Sequence, residues 1–97
     1  MIARLEKIAA AGIQLIPAEL SSHFLFERDG FVALVERKED GFGNIGSAGL
    51  MTDHGLAVLV WRGAKAFFVA RGFDHEATAD QVDKLRSFAA DLQNALL

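Results

Sequence analysis

Three stretches of the chain are unbroken apolar runs, with no polar residue alternating between apolar ones. They span Phe31 to Val35, Leu56 to Trp61 and Ala66 to Ala70. A strand of this composition has to bury both of its faces. The 97 residues leave room for two helices, and two helices cover only one face of a sheet. The sequence therefore predicts that a second copy covers the other face, because twofold dimers are the commonest soluble assemblies.

Composition limits the class of protein. A chain of 97 residues, 52% of them hydrophobic, suits a single α+β domain over residues 1–97. The net charge is −3 and the basic residues are scattered, which argues against nucleic acid as a partner. There is no cysteine for disulfides or thiolate metal sites. Apolar stretches are too short for a membrane span or a signal peptide, so we expect no membrane partner and a cytoplasmic location.

Helices are predicted at both ends. Apolar residues from Ile2 recur on one face of a short N-terminal helix, with Gly12 placed as its left-handed stop. Pro17 is placed to open an irregular turn through Leu20. Near the C-terminus, Thr78 and Gln81 have the spacing of a capping box. A stripe of apolar residues then predicts a long amphipathic helix: Val82, Leu85, Phe88, Ala89, Leu92 and Leu96.

Turn residues divide the middle of the chain into strands. Asp29-Gly30 is typical of a type I′ hairpin turn, and Gly63-Ala64 of a type II′ turn. His54-Gly55 marks a third reversal, and a longer glycine-rich connection runs from Lys38 to Gly46. These signals predict a five-stranded antiparallel meander. The predicted architecture is an N-terminal helix, this meander and a long C-terminal helix, with both helices packed on one face of the sheet.

Pairing across the predicted turns makes both faces of the sheet apolar. The first hairpin sets Phe26 opposite Ala33 on one face and Leu25 opposite Leu34 on the other. The second hairpin gives the same result. Its residues are the predicted sheet of the core and of the dimer: Val58, Leu59, Val60, Trp61, Phe67, Phe68 and Val69.

A glycine motif and the histidines are the candidate chemistry. Gly41, Gly43 and Gly46 match the G-x-G-x-x-G pattern of nucleotide-binding turns, but the parallel βαβ unit that this pattern needs is missing. A hairpin loop whose glycines permit positive φ is the simpler interpretation. His54 and His75 stand beside acids and are candidate metal ligands or acid–base groups. No recognised metal spacing supports them, so we predict no metal and no cofactor.

The simpler interpretation of the histidine regions is structural. His54 is then a turn residue, His23 pairs across the sheet with Glu36, and the segment from Asp74 to Glu76 complements the N-terminal dipole of the last helix. No nucleophile motif is present, so enzymatic activity is not the favoured prediction.

Two classes of function follow from these patterns. The first is a non-enzymatic dimeric interaction or scaffold domain that meets a protein partner at a sheet edge or a groove. The second is a small-molecule-binding domain or minor enzyme with a pocket near the Gly41 to Gly46 segment and His54. The order of elements resembles small acidic dimeric chaperones and roadblock-type scaffold domains. Both carry a helix between their second and fourth strands that this chain has no room for, and no family is assigned.

Overall fold

The computed structural model describes residues 2–16, 22–39 and 41–96. Helix α1 spans Ile2–Ala10 and helix α2 spans Ala79–Leu96. Between the helices, the described residues form eight strands: β1 Gln14–Ile16, β2 His23–Arg28, β3 Phe31–Lys38, β4 Gly41–Ile45, β5 Gly49–Thr52, β6 Gly55–Arg62, β7 Lys65–Ala70 and β8 Phe73–Glu76.

The strands form one antiparallel sheet in the order β1-β2-β3-β5-β6-β7-β8. Strands β4 and β5 follow each other along the same side of β3. The start of β3, at Phe31 and Val32, pairs with β5, whereas its end, from Val35 to Lys38, pairs with β4. The α+β class and the antiparallel meander are confirmed. The strand number is wrong, because β1, β4 and β8 are added to the five predicted strands.

The two hairpins predicted from turn residues are confirmed with their registers. Asp29 and Gly30 have φ angles of 56° and 86°, as a type I′ turn requires, and Phe26 pairs with Ala33. Gly63 has a φ of 66°, and Leu59 pairs with Phe68. The reversal near His54 is also present, with Thr52 paired to Gly55 across it.

Both helices begin or end at the predicted signals. The chain leaves α1 through Gly12, which has a φ of 75°. At the start of α2, the Gln81 amide N–H donates to the Thr78 hydroxyl, and the Thr78 N–H donates to the Gln81 side-chain oxygen. This is the reciprocal pair of a capping box. The turn predicted from Pro17 to Leu20 lies outside the described residues.

The core lies between the helices and one face of the sheet. Its largest fully buried side chains come from β2, β7 and α2: Phe26, Phe68 and Phe88. Ile8 of α1 belongs to the same cluster, so the two helices share one core with the sheet. The α2 residues on this face are Val82, Leu85, Phe88, Leu92, Ala95 and Leu96.

Arg28 at the end of β2 joins the two helices to the sheet. Its Nη1 donates to the carbonyl oxygen of Ala11, just after α1, and to Oδ2 of Asp91 on α2, each at 2.8 Å. The guanidinium also lies 5.7 Å from the centre of the Phe88 ring. Because three elements meet at one side chain, the helices are fixed on the same face of the sheet.

Candidate interaction surface

The second face of the sheet carries apolar side chains that neither helix covers. Along β3 the side chains alternate: Ala33 and Val35 point into the core, whereas Val32 and Leu34 point the other way. The strand registers place further apolar residues beside them. We call this surface the open face, and it consists of Leu25, Val32, Leu34, Met51, Leu56, Val58, Val60, Phe67 and Val69.

Exposure differs between the two faces in the middle of the sheet, although Val32 on the open face is 2% exposed and Trp61 on the helix face is 50% exposed. On the open face, the exposed fractions of Met51, Val58 and Val60 are 45%, 39% and 37%. On the helix face, Ala57 in β6 and Phe68 in β7 are buried. Contiguous apolar surface of this kind is uncommon on monomers and is typical of interaction sites.

Ion pairs border one end of the open face. Arg62 on β6 makes a bidentate pair with Asp74 on β8, with N–O distances of 3.1 and 2.9 Å. Lys65 lies 3.7 Å from Glu76. Asp74 and Glu76 were predicted to complement the dipole of the last helix, but they lie in β8 and pair across the sheet instead. A polar border around an apolar centre is the usual anatomy of a protein interface.

The Arg62–Asp74 pair should make stability depend on pH. The hydrogen bond from Arg62 holds the pKa of the Asp74 carboxyl below its ordinary value. A lowered pKa contributes stability above the unfolded-state pKa, and this is lost as the pH falls through the folded-state value. Asp74→Asn should therefore lower stability slightly at neutral pH and flatten its loss in acid, measured by urea unfolding from neutral to acidic pH. If Arg62→Gln did not reduce the loss of stability at acidic pH in the same way, the Arg62–Asp74 pair would not be the cause of that loss.

A second polar cluster lies at the other end of the face. His23 pairs across the sheet with Glu36, as predicted. The Lys38 ammonium contacts the Glu36 carboxylate, and this hydrogen bond together with the charge of Lys38 lowers the pKa of Glu36. A shallow cavity of about 300 Å³ opens here, lined by His23, Leu34, Glu36, Asn44, Ile45, Gly46, Ser47 and Leu56.

The seven predicted sheet residues are divided between the two faces. The registers place Val58, Val60, Phe67 and Val69 on the open face, and Leu59, Trp61 and Phe68 on the helix face. The predicted pairing of Leu25 with Leu34 on this face is confirmed. Val32, Met51 and Leu56 were not predicted there, although the alternation of sides along β3 was a visible signal for Val32. Met51 and Leu56, which pair beside the third turn, were not distinctive.

Gly41 and Gly43 of the glycine motif lie in strand β4 and Gly46 follows its end, so the prediction of a loop from Lys38 to Gly46 is wrong over Gly41–Ile45. Gly41 has a φ of 142°, but Gly43 and Gly46 are not among the described glycines with positive φ. A Cβ on Gly46 would come within 3.1 Å of the Leu34 carbonyl oxygen. Close approach to β3, and not conformational freedom, is therefore what favours glycine at that position.

A pair of glycine substitutions tests how closely the strands approach. A Cβ at Gly49 would overlap the backbone carbonyl of Ala57, which cannot move without shifting β6. A Cβ at Gly43 would meet the ends of the Glu36 and Lys38 side chains, which can rotate away, and the Cβ of Glu36 at 3.1 Å, which would have to shift by only a few tenths of an ångström. We expect Gly49→Ala to lower the free energy of unfolding by about 1–3 kcal/mol. Gly43→Ala should stay within about 0.5 kcal/mol in the same urea titration. Equal losses of unfolding free energy from the two substitutions would mean that the Ala57 carbonyl does not limit the space at Gly49.

The two candidate histidines flank one aromatic ring. The ring centre of Phe73 lies 6.0 Å from that of His54 and 4.5 Å from that of His75. The Nδ1 of His54 also lies 3.3 Å from where a Cβ on Gly72 would stand. Both histidines are exposed. The described residues include no group of three or more potential ligands that could hold a metal ion.

The cavities described at Gly43 to Gly46 do not have His54 in their linings. The cavities at Gly43 to Gly46 are lined by residues of β4, of the segment that follows it, of the neighbouring strands and of α2. His54 instead packs beside Phe73 at the start of β8.

Comparison of the chain with models of protein families, with characterised proteins and with solved structures gives no match. Neither helix among the described residues combines the length and hydrophobicity needed to cross a membrane.

Proposed function

We propose that the protein is a non-enzymatic dimeric interaction domain, in which the open face packs against the open face of a second copy. The observation that carries this proposal is the exposure of Met51, Val58 and Val60 within a continuous apolar surface. A twofold axis places the same surface on both sides of an interface, so an apolar centre is complementary to itself.

Burial of this face supplies the driving force. Each 100 Å² of apolar surface removed from water is worth about 2.5 kcal/mol. The loss of translational and rotational freedom when two copies associate costs about 4–15 kcal/mol. An interface that covers most of the open face on both copies offsets that cost. The bordering pairs Arg62–Asp74 and Lys65–Glu76 can stay hydrated at its edge.

The side chains at the centre of the open face suit association and not chemistry. They are aliphatic or aromatic and offer no acid, base or nucleophile. The charged pairs Arg62–Asp74 and Glu36–Lys38 lie at the ends of the face, the first between two strands and the second within β3, and Glu27 lies opposite Val32 on the same face. These features support an interaction or scaffold role over a catalytic one.

Engineered cysteines test the proposed dimer, because the chain contains none of its own. Val58 lies in the middle of the open face, and Ala90 lies on the exposed side of α2. We expect Val58→Cys to give a covalent dimer under mild oxidation or with a short bismaleimide, at least about tenfold faster than Ala90→Cys. Equal rates for the two variants, or faster crosslinking through Ala90→Cys, would contradict the proposal.

A further inference from the structure

A notch interrupts the sheet where β4 and β6 diverge. Strand β6 pairs with β5 only from Gly55 to Val58, and from Leu59 to Arg62 it pairs only with β7. On the far side of the notch, β4 pairs only with β3. The segment 46–48, which joins β4 to β5, lies at the closed end.

The hairpin register fixes which backbone groups of β6 face the notch. Arg62 and Lys65 flank a two-residue turn, so they form a hydrogen-bonded pair, and Val60 bonds to Phe67 in the same way. The N–H and C=O groups of Leu59 and Trp61 therefore point away from β7. Leu59 adjoins the last pair of the β5–β6 ladder, Gly49 with Val58, whereas no described strand pairs with Trp61 on this side. Such a row of donors and acceptors is a template for one more strand.

Helix α2 closes the notch on the core side. Two adjoining cavities, of about 500 and 570 Å³, share Ser47, Ala48 and Ala89 in their linings. The smaller one also contacts Leu59 of β6 and Leu85 of α2. Small residues along the floor leave room for the backbone of an extended segment and for one apolar side chain.

A single cation lines these cavities. The guanidinium of Arg86 lies 5.5 Å from the centre of the Trp61 ring. Within the part of the chain that the structure describes, Arg86 has no ion pair with a carboxylate. An arginine held over an aromatic ring and lacking an acidic partner favours a carboxylate on whatever enters the notch.

We propose that the notch binds an extended acidic segment of a partner protein by strand addition. One apolar side chain of the segment lies opposite Leu59 and packs on Leu85 and Ala89. A carboxylate two positions away lies opposite Trp61 and pairs with Arg86, since alternate residues of a strand share one face. The proposal goes beyond dimerisation and does not depend on it, because the open face uses the other side of β6.

Panning of random linear peptides against the intact chain tests the proposal. We expect enrichment of peptides with Asp or Glu two positions from Val, Ile or Leu. Arg86→Glu should weaken their binding at least about tenfold. Lys84→Glu makes the same charge change on the same helix, away from the notch and beside Asp80. It should alter binding by less than about twofold, because distant surface charges contribute little.

Amide hydrogen exchange supplies the second measurement. In the free chain, the amide of Trp61 should exchange faster than those of Val60 and Arg62. Saturating peptide should slow exchange at Trp61 at least about tenfold. Failure to enrich any peptide, binding insensitive to Arg86→Glu, or protection at β1 or β8 instead would overturn the proposal. Slow exchange of Trp61 in the self-associated chain alone would assign the notch to a second copy and would also overturn the proposal.

Discussion

Phe68→Ala should lower the free energy of unfolding by about 3–5 kcal/mol, the largest loss that we expect from one truncation in this chain. Phe68 is 1% exposed, and its ring centre lies 6.1 Å from that of Phe31. Its removal opens a cavity between the sheet and the helices. Small domains are stable by about 5–15 kcal/mol, so the loss is a large share of the total. Urea unfolding at low protein concentration measures it.

The preceding residue, Phe67, is the matched control. Phe67 has the same side chain, but it lies on the open face and is partly exposed, with Arg62 4.6 Å from its ring centre. Phe67→Ala should therefore cost much less in the dilute chain and should instead weaken self-association. A larger loss of monomer stability from Phe67→Ala than from Phe68→Ala would mean that the two faces are assigned the wrong way round.

Val60→Lys should abolish self-association and leave the fold intact. Val60 is 37% exposed in a single copy, so a lysine there can reach water when the chain is a monomer. In a dimer packed through the open face, the same ammonium would be buried without a partner. We expect the Kd of the dimer to rise at least about 100-fold. Sedimentation of the variant, with circular dichroism to check its fold, measures both properties.

Ala90→Lys is the control for adding a lysine. Ala90 lies on the exposed side of α2, away from the open face. The dimer Kd should not change in this variant, because a charge on the hydrated side of the helix meets no interface. If Ala90→Lys weakened association as much as Val60→Lys, the interface would lie on the helices and not on the sheet.

The turn residues allowed much of the fold to be predicted from the sequence. Asp29-Gly30 and Gly63-Ala64 require particular backbone angles, and a two-residue turn leaves only one register for the flanking strands. The capping box of Thr78 and Gln81 was equally local. In each case the structure is determined by neighbours in the chain, and the sequence is sufficient.

The strands that were missed depend on distant contacts. Strand β4 contains Gly41 and Gly43, which disfavour a strand until β3 holds them in place. Strand β8 consists of Phe73, Asp74, His75 and Glu76, and cross-strand pairs with Arg62 and Lys65 stabilise it. The Arg71-Gly72 turn, with a φ of 78° at Gly72, is the signal that could have indicated it.

The candidate surface was predictable in kind but not in detail. Unbroken apolar strands indicated that a second face needed cover, and the alternation along β6 separates Val58 and Val60 from Leu59. Whether Val58 and Val60 or Leu59 would face the helices depended on the handedness and curl of the sheet. No residue pattern specifies these properties. The notch exists because β4 pairs with β3 and does not continue beside β6, and this pairing is a property of the tertiary structure alone.

Sedimentation equilibrium of the unmodified chain at increasing concentration tests the central claim most directly. One copy has a mass of 10.5 kDa. We expect a species of twice that mass, about 21 kDa, which dissociates on dilution and is lost in Val60→Lys. A single species of 10.5 kDa at every concentration would contradict it, because the open face would then remain in water.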